Sequence, residues 1–188
     1  MARKIKDPEE RRQELLKTAL ELFSEKGYEQ TSITDIAGRL GIAQGLCYRY
    51  FPSKEALLDG ALEQYAQEQV SRMVPVLCDP GRTLRQKLED FPPFTEYEEP
   101  GSPSYALYHG ENSQKLHHLL SYRICELLTP LVAQQLRLAQ EQGEISTDDP
   151  ETAASFLVYG QLGILNSSQP ADQKTAQIRR FLHSWLER

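Results

Sequence analysis

Between Ala43 and Phe51 the chain gathers Gln44, Gly45, Tyr48 and Arg49: an amide, a position without a side chain, a phenol and a guanidinium. At about 100° per residue, Gly45, Tyr48 and Arg49 fall on one side of a helix, Gln44 and Leu46 flank them, and Ala43, Cys47, Tyr50 and Phe51 make the apolar opposite side. Such an outer face suits close approach to the major groove of a duplex, with little bulk at Gly45 and hydrogen-bonding groups at Gln44, Tyr48 and Arg49. It is equally the face of a small amphipathic helix whose outer side is solvated.

The flanking residues say how that face is held. Asp7-Pro8-Glu9-Glu10 puts a capping carboxylate, a proline at the first helical position and acids in the first turn. Leu15, Leu16, Ala19, Leu20, Leu22 and Phe23 then recur at helical steps, and Gly27 ends a helix over roughly 8–26. Ser32 and Asp35 have capping-box spacing and open a short helix through Ile36, Ala37 and Leu40, which Gly41 interrupts. A second short helix runs from Gln44 to about Phe51; its apolar side can pack on Phe23, Ile36 and Leu40. Pro52 closes it and Ser53 caps the next. Two short helices joined by a glycine-containing turn form a helix-turn-helix.

Residues 11–58 resemble the N-terminal region of TetR-type transcriptional regulators. The resemblance is carried by Leu16, Ala19, Leu22-Phe23, Gly27-Tyr28, Thr31-Ser32-Ile33, Ile36-Ala37, Gly41-Ile42, Gly45, Tyr48, Tyr50-Phe51, Ser53-Lys54-Glu55 and Leu57-Leu58. Softer echoes, Gly143-Glu144, Asp149-Pro150-Glu151 and Ala153-Ala154, look like the lead-in to the family's penultimate helix. The resemblance implies an all-α chain with an N-terminal three-helix DNA-binding domain over 1–53 and a helical effector-binding and dimerisation domain over 54–188. It implies that Ser32 contacts a phosphate as well as capping, that Tyr48 and Lys54 hold the DNA backbone, and that Gln44, Gly45 and Arg49 face the bases. The family's usual Ser or Thr cap is replaced here by Ala43, and Leu46 stands where a small or hydroxylated residue is common; its side chain can meet a thymine methyl. The function implied is a homodimeric repressor on a palindromic operator of double-stranded DNA, released by a small-molecule effector.

Beyond this region a helix from Ser53 carries Leu57, Leu58, Ala61, Leu62, Tyr65 and Met73 until Pro75 stops it. Leu116, Leu119, Leu120, Ile124, Leu127 and Leu128 make a helical stripe, and Thr129-Pro130 reads as a break and fresh cap before Leu131 to Gln142. The stretch from Ala153 to Leu165 reads as one helix, apolar nearly all round, and Ile178, Phe181, Leu182 and Trp185 form the face of the last. With so few helices left to cover that penultimate element, a second copy is the simplest cover, which nominates Phe156, Gly160, Ile164, Ile178, Phe181 and Trp185 as the interface of a homodimer.

Residues 88–114 are the least regular: acids without a Lys or Arg, four prolines, and Phe91, Phe94, Tyr97, Tyr105 and Tyr108. With Tyr122 these aromatics are candidates for holding a cationic aromatic ligand; a solvated acidic loop is the plainer reading. His109, His117 and His118 lack the matched carboxylate or thiol partners of a metal site, and no metal or cofactor is expected.

Net charge sharpens the division. The 188 residues sum to −6, yet residues 1–55 hold ten Lys/Arg against nine Asp/Glu, so the acidity lies in the remainder. Phosphate contacts depend on where cations sit, not on the total. Arg3, Lys4 and Lys6 are either an arm for a minor groove or a frayed terminus. No apolar run is long enough to cross a bilayer, no secretory signal opens the chain, and three scattered cysteines suggest a reducing cytoplasm. Without GxSxG, P-loop, HExxH or Rossmann patterns, no catalytic residue is nominated. The other class of function open to these helices is a protein–protein interaction module that binds no DNA.

Overall fold

The computed structural model describes residues 6–91 and 114–187, which are all-helical apart from their connections. Two compact units divide the described chain: residues 6–65 with 114–120, and residues 66–91 with 121–187.

In the first unit, α1 (Pro8–Lys26) starts where Asp7 accepts the backbone N–H of Glu9 at 2.8 Å and of Glu10 at 3.4 Å. Its buried stripe of Leu15, Leu16, Ala19, Leu22 and Phe23 supplies the core together with Ile36, Ala37, Cys47, Phe51, Leu57 and Ala61. α2 (Ile33–Leu40) opens on the predicted capping box and ends at Gly41, whose φ of 63° places it in the left-handed region that favours glycine. α3 (Gln44–Tyr50) follows without a side-chain cap, because Ala43 has no acceptor to offer. α4 (Lys54–Leu77) begins with Ser53 Oγ accepting the Ala56 N–H at 3.1 Å. Its close fit is set at Gly60, where a Cβ would lie 3.0 Å from Leu16 Cδ2 and 3.2 Å from Phe51 Cε1.

The second unit contains the end of α4, α5 (Leu84–Asp90), most of α6 (Gln114–Glu141), α7 (Pro150–Tyr159), the single turn α8 (Leu162–Leu165) and α9 (Ala171–Leu186). One core cluster joins Leu84, Ala133, Leu136, Ala139, Ala154, Leu157 and Leu182; another joins Met73, Leu77, Cys125, Leu128 and Val158. Asp149 caps α7 by accepting from Glu151 at 3.1 Å and Thr152 at 3.0 Å, with Pro150 in the first turn. No helix among the described residues is long and apolar enough to cross a membrane, and the three cysteines are free thiols.

Four expectations from the sequence are corrected here. Pro75 does not stop α4, which continues to Leu77: the residue lies in the final turn, and the Cys78 N–H still reaches the Val74 carbonyl at 2.8 Å. Thr129-Pro130 is no break either. α6 runs through it, and the Thr129 hydroxyl donates to the Cys125 carbonyl at 2.7 Å instead of capping a new helix. The span from Ala153 to Leu165 is not one helix. A Cβ at Gly160 would fall 2.5 Å from the Phe156 carbonyl oxygen, so only glycine fits, and Gln161 Nε2 donates to the Leu157 carbonyl at 2.7 Å where a continuing backbone would have done so. Finally, the irregular stretch begins later than residue 88, since α5 extends to Asp90 from a capping box of Thr83 and Gln86.

Candidate nucleic-acid interface

The turn that aims α3 is tied down from within. Thr31, 1% exposed, sends its hydroxyl toward the carbonyls of Leu22 at 3.1 Å and Gly27 at 2.8 Å, fastening the lead-in of α2 to the end of α1. Cys47 anchors α3 from beneath at 1% exposure, and burial pushes its thiol up from the usual range. Phe51 ends the helix in the same core, with the Arg12 guanidinium 5.6 Å from its ring centroid.

With that side fixed, the outer face is the one the wheel predicts. Gln44, Gly45 and Arg49 are exposed, Tyr48 is 47% exposed and Leu46 is half-buried. Nothing lies within 4 Å of where a Gly45 Cβ would stand, so the chain's own packing gives no reason for glycine there. Arg49 makes no ion pair among the described residues, unlike Arg39, which reaches Glu25 at 2.9 Å. Ala43, assigned to the apolar side, is exposed because it precedes the first turn.

Ser32 sits at the exposed start of α2. Its Oγ accepts the Asp35 N–H at 3.1 Å and donates to Asp35 Oδ2 at 2.5 Å. The Ser32 hydroxyl, then its backbone N–H, holds the Asp35 carboxyl below the usual carboxylate range. The single hydroxyl proton is therefore committed to Asp35, and a phosphate contact from it requires that bond to be exchanged.

Lys54, at the first turn of α4, is positioned by a residue that sequence reasoning passed over. Its Nζ lies 4.1 Å from the centroid of the Tyr28 ring, and Tyr28 packs against Phe23 with ring centroids 5.3 Å apart. The Tyr28 hydroxyl donates to Glu55 Oε1 at 3.1 Å; burial first, then this bond, pushes the phenol up to about 12. Glu55 is held below its usual range by its own backbone N–H, the Ser53 hydroxyl and Tyr28. In the sequence Gly27 read as a helix ending and Gly27-Tyr28 as part of the family resemblance, with no role assigned to Tyr28.

The remaining nominated residues scatter. Lys6 pairs with Glu14, while Arg3 and Lys4 lie outside the described residues, as do Phe94, Tyr97, Tyr105, Tyr108 and His109. Phe91 lines a cavity of the second unit. Tyr122 does not: it is 60% exposed, its ring 5.9 Å from that of Tyr159. Of the nominated dimer residues, Ile178 and Trp185 pack on the second unit's own core, Ile164 is half-buried, and Gly160 is exposed. Phe156 and Phe181 stand out at 76% and 59% exposure. Among the described residues no group of His, Cys, Asp and Glu could hold a metal ion.

Comparison with known proteins places this geometry. Residues 15–61 match the sequence model of the bacterial regulatory proteins, tetR family. A curated relative, the uncharacterized HTH-type transcriptional regulator YuxN of Bacillus subtilis, is 41% identical over 75 residues, 39% of this chain. The match spans only 26% of that relative's length. Along the whole chain the likeness is one of fold. A TetR-family regulator from Mesorhizobium loti superposes with a TM-score of 0.71 at 18% identity, covering 97% of this chain and 98% of that one. A transcriptional regulator from Saccharomonospora viridis, solved in complex with choline, gives 0.61 at 23% identity, covering 93% and 96%. Residues 15–61 thus carry the sequence signature of the tetR family of bacterial regulatory proteins, and the chain as a whole has the all-helical fold of TetR-family regulators.

Proposed function

We propose that the chain is a DNA-binding transcriptional regulator: a homodimer that represses from a palindromic operator and releases it when a small effector binds. The observation that carries this reading is the outer face of α3, where Gln44, Gly45, Tyr48 and Arg49 stand exposed on a helix whose other side is buried. Arg49 and Gln44 have the chemistry to read base edges, Gly45 allows the backbone close, and Leu46 can meet a thymine methyl. Tyr48 and Lys54 serve the phosphates, joined by Ser32 once its bond to Asp35 is exchanged.

In this reading residues 1–53 bind DNA and 54–188 hold the effector and the second copy. The exposed Phe156 and Phe181 are the apolar surface offered to that copy, and a two-fold pair of reading helices calls for half-sites about 34–36 Å apart. The effector works through the difference in its affinity for the two states of the dimer. Choline in the Saccharomonospora viridis regulator is a precedent for a small ligand on this fold.

The test is a salt titration of duplex affinity, using an oligonucleotide selected by the protein from a random pool. A regulator loses affinity steeply as salt rises; a helical interaction module shows no such affinity to lose.

A further inference from the structure

Lys87 is a lysine inside a protein core. It lies on α5 at 8% exposure, and its ammonium donates to Gln135 Oε1 of α6 at 2.8 Å. Gln135 is itself 5% exposed, and its Nε2 approaches Cys78 Sγ at 3.8 Å. An ammonium carries three protons and a full charge; here, among the described residues, it has one neutral partner and no carboxylate within ion-pair distance.

Lys87 and Gln135 belong to the wall of a cavity of about 100 Å³ within the second unit. A single water needs roughly 10–15 Å³ on this measure, so the space suits a ligand of up to about ten heavy atoms. Its wall is mostly leucine, valine and isoleucine, with Phe91 and Trp185 adding aromatic surface. The charged residues of the described lining are Lys87 and Arg179; it contains no Asp or Glu. Glu144 lies in a neighbouring cleft that also touches Lys87, where its carboxylate accepts the Leu84 N–H at 2.6 Å.

We propose that this cavity binds a small monocarboxylate with an apolar or aromatic body. The carboxylate pairs with the Lys87 ammonium, assisted by Arg179, and the body lies against Phe91, Trp185 and the aliphatic wall. Charge complementarity selects the head group, because an amine or a quaternary ammonium would meet two cations and no anion. By sequence, residues 88–114 offered a cationic aromatic ligand beside the plainer solvated acidic loop; the cavity lining favours an anion instead. This site deepens the effector half of the proposed function and rests on it only for what binding does to DNA.

Trp185 is the chain's single tryptophan and lines the cavity, so its fluorescence reports binding without any DNA present. The probes are octanoate, 1-octanol, octylammonium and choline, added to the full-length protein. The expected result is saturable change with octanoate at a Kd at least tenfold below that of octanol, and weaker response to octylammonium and choline. Lys87→Met should bring octanoate to the level of octanol and leave octanol unchanged. Arg179→Gln, at an exposed position that tolerates change, should weaken octanoate alone and by a smaller factor, which decides the matter if Lys87→Met does not fold. Octanoate binding no tighter than octanol, or either cation binding tighter, overturns the site. Octanoate binding that leaves duplex affinity unchanged upholds the site and removes effector release by such acids from the regulator reading.

Discussion

The Lys54 ammonium rests 4.1 Å above the Tyr28 ring while the hydroxyl of that ring donates to Glu55, so one tyrosine just beyond the end of α1 holds two successive residues at the start of α4. The cation is held over the ring by a contact worth about 0.5–1 kcal/mol at a partly exposed site. Tyr28→Leu should therefore weaken binding to every duplex alike, by roughly twofold to fivefold, whereas Tyr28→Phe, which keeps the ring, should lose less. A filter-binding series on specific and scrambled duplexes separates the two; equal losses would mean that the ring does not position Lys54.

The same tyrosine makes a pH prediction. Its neutral form is favoured in the folded state, with ionisation pushed from about 10 up to about 12. That contribution to stability is complete below pH ~10 and disappears as pH rises through ~12. A tyrosinate absorbance titration should show late-ionising phenols that include Tyr159, which is also raised by burial. Tyr28→Phe should remove one of them, and an unchanged late phase would contradict the assignment.

Gly45 separates folding from binding. Open space surrounds its missing Cβ, so Gly45→Ala should stabilise α3 by up to about 1 kcal/mol through helix propensity. On the proposed docking, duplex affinity should fall at the same time, because the methyl group would intrude between backbone and groove. Thermal unfolding beside a DNA titration reads both; higher stability with undiminished affinity would place Gly45 away from the duplex.

Thr31 is the opposite kind of residue. Buried, with its hydroxyl toward two carbonyls, it should tolerate Thr31→Val in volume but not in polarity, at a cost of about 1–3 kcal/mol in denaturant unfolding. A change within a few tenths of a kcal/mol would mean that the hydroxyl is dispensable.

Phe181→Ser tests the second copy. At 59% exposure Phe181 contributes little to its own core, so the substitution should leave folding intact and shift sedimentation toward monomer. A dimer of unchanged strength would remove this face from the interface.

Much of the first unit was legible because its signals are local. Asp7 with Pro8, Ser32 with Asp35, Gly41 and Ser53 each satisfy or release backbone groups within a few residues. The face of α3 followed from one buried residue, Cys47, and the helical period. The second unit was harder because tertiary packing outweighs local rules there. Pro75 and Pro130 each forfeit a single backbone bond, and the buried stripes on both sides keep α4 and α6 continuous. The break at Gly160 depends on a carbonyl approaching a missing Cβ, which spacing does not reveal. Lys87 reads as an ordinary surface lysine until Gln135, far along the chain, is placed beside it.

The central claim, that α3 reads duplex DNA while the start of α4 grips its phosphates, is tested most directly by measuring affinity against salt for the unaltered protein, Arg49→Ala and Lys54→Ala on selected and scrambled duplexes. The account predicts a linear fall of log affinity with log salt, a slope shallower by about 1 for Lys54→Ala on both duplexes, and a loss for Arg49→Ala confined to the selected one. Affinity indifferent to salt, or unchanged by both substitutions, would contradict it.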